Sequence, residues 1–101
     1  MDKNGYNPSI MQSKRECYIT HSVHDVVRHE IYYGFANRKI SKKEGFWVWL
    51  VPEYHNTSNK GVHFNRELDL ELKVACQKKY EETHSRDDFI KLIGKSYILD
   101  D

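Results

Sequence analysis

One stretch of the chain alternates cleanly. From Val27 to Tyr33 the run VRHEIYY sets Val27, His29, Ile31 and Tyr33 on one face of a strand, with Arg28, Glu30 and Tyr32 on the other. Phe46 to Val51, FWVWLV, is apolar throughout, the pattern of a strand covered on both faces. The two runs bracket a polar loop, GFANRKISKKEG, in which Ser41 and Glu44 have the spacing of a capped helical turn. Pro52 suits the first position of a short turn, PEYHN, that carries His55. A longer helix is predicted from a cap at Asn65 to about Glu82. Leu68, Leu72, Ala75 and Lys79 form one stripe on it and Leu70, Val74 and Gln77 a neighbouring one, wide enough together to cover the hairpin. Ser85, with Asp88 three residues on, caps a last short helix that ends at Gly94. Upstream, Arg15 to Thr20 (RECYIT) has the character of a short strand. Residues 1–14, rich in Asn, Gly, Pro and Ser and without apolar period, read as a flexible leader. The expected fold is α+β: a leader over 1–14, then a single domain over 15–101 with a β-hairpin packed on a long helix and a short C-terminal helix.

Composition narrows this picture. A chain of 101 residues supports one modest core, and with seven Tyr, four Phe and two Trp a few large rings must supply most of its buried area. Two distant cysteines, Cys17 and Cys76, without a signal-peptide pattern, point to reduced thiols buried as small hydrophobes in a cytoplasm. No apolar run approaches the ~20 residues of a membrane span, so a soluble protein without a membrane partner is expected. The formal net charge of +1 argues against strong nonspecific binding of polyanions. A local patch is compatible with that balance. The loop holds Arg38, Lys39, Lys42 and Lys43, which read either as a phosphate-facing surface or as a solvated connection.

Three histidines carry the chemical interest. His29 lies in the first strand, and His55 and His63 follow the second; neutral imidazole is the commonest side-chain ligand of zinc-like metals. A metal-dependent nuclease needs a cation beside the scissile phosphate and a base that activates water. His55 and His63 fit the first role, and His29 or Glu30 the second. Asn37, Asn56 and Asn59 fit either an orienting role near such a site or an ordinary place in turns.

The stretch from Cys17 to Leu99 resembles small HNH-endonuclease-like proteins encoded by bacteriophages and prophages. The likeness is densest in HEIYYGFANRKIS, FWVWL and HNTSNKGVHFNRELDLELK. The resemblance implies a ββα-metal fold, a hairpin and a helix around one divalent cation (Mg, Mn or Zn), with phosphodiester hydrolysis as the usual activity. Laid over this chain, the first-strand dyad falls on His29-Glu30, and metal ligation falls on His55 with His63 as a further ligand. Two departures follow. Positions at which relatives carry two Cys or His pairs read Cys17 and Thr20, then Val51 and Tyr54, so a structural zinc is not expected and packing must hold the fold. Glu30 stands where the family has a histidine base, and a carboxylate of unperturbed pKa about 4.3 is a base weaker by roughly two units. The expectation is therefore an altered site that binds nucleic acid or a host nucleoprotein defence complex inside the bacterial cell, as an anti-restriction or anti-CRISPR inhibitor would. Arg38, Lys39, Lys42, Lys43, Asn37 and Asn59 would be its contacts. The alternative is an active metal-dependent HNH DNA endonuclease or nicking enzyme.

Overall fold

The fully apolar run FWVWLV becomes the centre of the molecule because both of its faces are covered. The computed structural model describes residues 2–55, 61 and 65–99. Its strand β1 (Val27–Glu30) pairs antiparallel with β2 (Trp47–Leu50), with Val27 opposite Leu50 and Glu30 opposite Trp47. Phe46, Val48 and Leu50 turn one face of β2 into the main core, where all three are fully buried. Trp47 and Trp49 occupy the other face, their rings 5.3 Å apart edge to face.

That second face is covered by the segment expected to be a flexible leader. β2 has one edge paired with β1, and its other edge would leave polar backbone groups unsatisfied. Residues 7–18 satisfy them: Ser9 Oγ donates to the Trp47 carbonyl at 2.6 Å, Trp49 N–H donates to Gln12 Oε1 at 2.7 Å, and Tyr18 N–H donates to the Trp49 carbonyl at 2.8 Å. Trp47 Nε1 also donates to the Asn7 carbonyl. Ile10 and Met11 add apolar surface to the core. The strand expected over Arg15 to Thr20 is a series of bends and turns instead. Cys17 N–H donates to the Ser22 carbonyl and His21 N–H returns to the Cys17 carbonyl, which closes the chain on itself.

The polar loop between the strands is a ten-residue helix, α1 (Phe35–Glu44), lying against β1. It stops at Gly45, whose left-handed φ of 77° no side chain adopts cheaply and whose N–H caps the Ser41 carbonyl. A Cβ on Gly45 would sit 2.1 Å from the Pro8 carbonyl oxygen, so the N-terminal segment and the end of α1 meet only because this residue is glycine. Ser41 does not cap a helical turn as its spacing suggested. It is fully buried inside α1 and its hydroxyl donates to the Tyr32 carbonyl at 2.6 Å while accepting from Tyr32 N–H, which fastens helix to strand. The expected alternation ends here: Ile31 and Tyr32 are both buried and Tyr33 is exposed.

The remaining elements follow their local signals. Pro52 opens α2 (Pro52–His55). Asn65 caps α3 (Arg66–Tyr80) through its side chain, which accepts from Leu68 N–H at 3.1 Å. Ser85 and Asp88 form a reciprocal capping box at the start of α4 (Arg86–Ile93), and Gly94 closes it with a left-handed φ. α3 buries Leu72, Cys76, Gln77 and Tyr80 and leaves Leu70 exposed.

Large rings bridge the space between hairpin and helices. Tyr32 meets Phe46, Phe89 and Tyr97 at centroid separations of 5.5, 5.4 and 5.5 Å, and Phe46 meets Tyr80 edge to face at 5.4 Å. The Tyr32 hydroxyl donates to the Lys73 carbonyl of α3. Both cysteines are free and fully buried, and burial pushes the Cys76 thiol up to about 12. Cys17 belongs to the buried cluster, and Val51 and Tyr54 pack against it. The molecule is thus a small α+β domain of one antiparallel hairpin and four helices among the described residues. No helix among them is long and apolar enough to cross a membrane.

Candidate functional site

The hairpin and α1 enclose a cleft of about 740 Å³. Its floor is set by strand register. His29, opposite Val48, is 1 % exposed, and its ring lies 5.4 Å from that of His55 at the end of α2. The two imidazoles come together because α2 starts immediately after β2 and turns back beside β1. Tyr33 closes this side, its ring 6.1 Å from that of His29.

Glu30 follows His29 in the strand and makes a different set of bonds. The Tyr6 hydroxyl donates to Glu30 Oε1 at 2.7 Å, and Arg38 Nε donates to the same oxygen at 3.2 Å. Burial alone would raise the Glu30 carboxyl, but the bonds from Tyr6, the backbone and Arg38 outweigh it and hold the group below the ordinary carboxylate range. Tyr6 responds in the opposite sense. Burial and its bond to the Glu30 anion push its hydroxyl up to about 12. At neutral pH the pair is a carboxylate accepting from a neutral phenol and from a guanidinium.

The rim is cationic. In a helix, residues three, four and seven apart share a face, so Phe35, Arg38, Lys39 and Lys42 line the same wall. The first turn of α1 carries no acidic residue and no side-chain cap, so its N–H groups add to the positive character of this wall. Lys42 Nζ lies 5.0 Å above the Tyr6 ring.

The predicted site residues therefore separate. His29, Glu30, His55, Arg38, Lys39 and Lys42 line one cleft. Lys43 and Asn37 are on α1 but not in its lining; the Lys43 carbonyl instead accepts from the Asn7 side chain. His63, Asn56 and Asn59 lie outside the described residues. Four further residues belong to the cleft or to its polar network: Tyr6, Tyr33, Gly34 and Phe35. Tyr33 and Phe35 flank Gly34 in the sequence, but Tyr6 carries no local signal, since it arrives from a segment 24 residues upstream of its partner.

Among the described residues, no group of three or more His, Cys, Asp or Glu side chains is placed to hold a metal ion. His29 and His55 together offer two imidazoles, fewer than the three protein ligands of a catalytic zinc site. Glu30 is engaged by Tyr6 and Arg38. Among the described residues, what the cleft offers chemically is a row of fixed positive charge beside one ionised carboxylate and two adjacent imidazoles. Compared with known protein families, with curated proteins and with solved structures, the chain matches none.

Proposed function

We propose that this protein binds nucleic acid through the cleft between hairpin and α1, on an HNH-like hairpin-and-helix frame whose altered site grips phosphates without cutting them efficiently. One observation carries the reading: the Glu30 carboxylate, which the resemblance to HNH proteins sets in the place of the proton acceptor, is held ionised below its ordinary pKa by Tyr6 and Arg38. A general base works best with a pKa near the operating pH, and a carboxylate stabilised as the anion is shifted away from it. Arg38, Lys39 and Lys42 beside it suit a phosphate backbone, which supplies most of the affinity of nucleic-acid binding proteins. The resemblance to phage proteins extends the proposal to the target: nucleic acid, or a host defence complex that contains it, in the bacterial cytoplasm.

A second reading has its own support in the 5.4 Å approach of the His29 and His55 rings, which makes a metal-dependent endonuclease the alternative. One experiment separates the two. Purified protein is titrated onto labelled DNA at several salt concentrations and incubated with supercoiled plasmid and Mg²⁺, Mn²⁺ or Zn²⁺, beside a His55→Ala variant. Salt-dependent binding with intact plasmid supports the binding reading. Metal-dependent nicking that disappears in His55→Ala would establish the enzyme instead, and absence of binding under every condition would remove both.

A further inference from the structure

We infer that the cleft takes an unpaired nucleotide, with Phe35 as the platform on which its base stacks. This deepens the nucleic-acid reading and rests on it. Phe35 is 94 % exposed, the most exposed of the large hydrophobic side chains described, at the first position of α1 after Gly34. A phenyl ring in open water contributes nothing to the core, and burying it would be favourable. Its surroundings supply the counterpart. Lys39 Nζ lies 5.8 Å from the ring centroid, and Arg38 and Lys42 follow on the same helix wall at spacings of about one turn, ~5.4 Å. Tyr33, 42 % exposed, lines the cleft next to it.

An exposed ring beside a track of cations is the arrangement that recognises single strands: the cations follow the phosphates and the ring takes a base face. A duplex cannot use it in this way, because its base faces are already stacked on one another. Phenylalanine has no hydrogen-bonding group with which to read base edges in a groove. The ring is therefore selective for strandedness and tolerant of sequence. DNA and RNA strands share this chemistry.

The test uses the full chain and short fluorescein-labelled oligodeoxyuridine, oligouridine and a DNA duplex in anisotropy titrations. Either single strand is expected to bind more tightly than the duplex. Phe35→Ala should weaken single-strand binding by roughly five- to a hundredfold and leave duplex binding and the salt slope unchanged, whereas Phe35→Trp retains it. The better-bound of the two strands identifies the sugar. Equal or tighter duplex binding, or an unaltered single-strand affinity in Phe35→Ala, overturns the inference while leaving phosphate binding intact. No binding to any of the three probes overturns the underlying reading together with it.

Discussion

Tyr6 and Glu30, 24 residues apart in the chain, are joined by a hydrogen bond of 2.7 Å that ties the N-terminal segment to the first strand at the edge of the cleft. One bond therefore serves both fold and site. It helps hold residues 2–14 across the hairpin, and it fixes the charge of the carboxylate beside the cationic wall. Arg28 reinforces the same attachment, its guanidinium lying 4.3, 4.7 and 4.8 Å from the Tyr6, Trp47 and Trp49 rings while it pairs with Asp2.

Tyr6→Phe is expected to lower stability by about 1.5–3 kcal/mol at neutral pH, the range for a hydrogen bond to a charged group. The loss depends on pH at both ends. Glu30 has a folded pKa below its ordinary 4.5, so its contribution is present above that value and is lost as pH falls through the folded pKa. Tyr6 has a folded pKa raised from 10.0 to about 12, so its contribution is complete below 10 and disappears as pH rises through about 12. Urea midpoints of wild type and variant should converge in acid and again in strong alkali, and a constant gap would contradict the assignment.

Gly45→Ala should destabilise the protein by about 2 kcal/mol or more. The left-handed φ is costly for alanine, and the new methyl would collide with backbone at Pro8 rather than with a side chain that can move aside. Limited proteolysis should then cut within residues 2–14 of the variant under conditions that spare wild type. Resistance equal to wild type would show that the segment is not held by this contact.

Gln77 is a buried polar junction that anchors the C-terminal stretch. Its Nε2 donates to Glu81 and to Ser96 Oγ, and its Oε1 accepts from Tyr97 N–H at 2.7 Å. Gln77→Leu keeps the apolar volume and strands these partners, at an expected cost of about 1–3 kcal/mol. Hydrogen exchange at the Tyr97 amide should accelerate well beyond that of core amides in β2. Unchanged protection there would place the anchor elsewhere.

Lys39→Ala combined with Lys42→Ala should weaken DNA binding uniformly across sequences and reduce the salt slope by roughly one to two, since each neutralised phosphate contributes about 0.7–0.9. Glu30→Gln should act in the opposite direction. It removes the negative charge from the cleft and releases Arg38 for phosphate, so affinity rises by about two- to fivefold. A weaker affinity in Glu30→Gln would mean that the carboxylate contacts the ligand through another group and that the cleft is not a simple phosphate site.

The elements with self-contained signals were legible in advance. Asn65, Ser85 and Gly94 mark helix ends by what their own side chains and φ values do within a few residues, so α3 and α4 lie close to where their caps predict. β2 was legible from its run of apolar residues on both faces. α1 was not, because its surface is mostly charged and polar and its stability comes from the Ser41 bond to Tyr32 and from Gly45. Reading it as a loop grouped Arg38, Lys39, Lys42 and Lys43 together. The helix sorts them, and only the first three line the cleft.

By itself the sequence determined the local decisions: where α3 and α4 start and stop, that the core would be built of rings, and that His29, His55 and several cations lie around one hairpin. Those follow from interactions within a few residues, which composition and period encode directly. Tertiary structure alone decided that an unpatterned N-terminal segment would cover the Trp47 and Trp49 face, and that Tyr6 would reach Glu30. Such contacts are chosen by the unsatisfied edge and exposed area that a distant element presents, a property that exists only once the hairpin has formed.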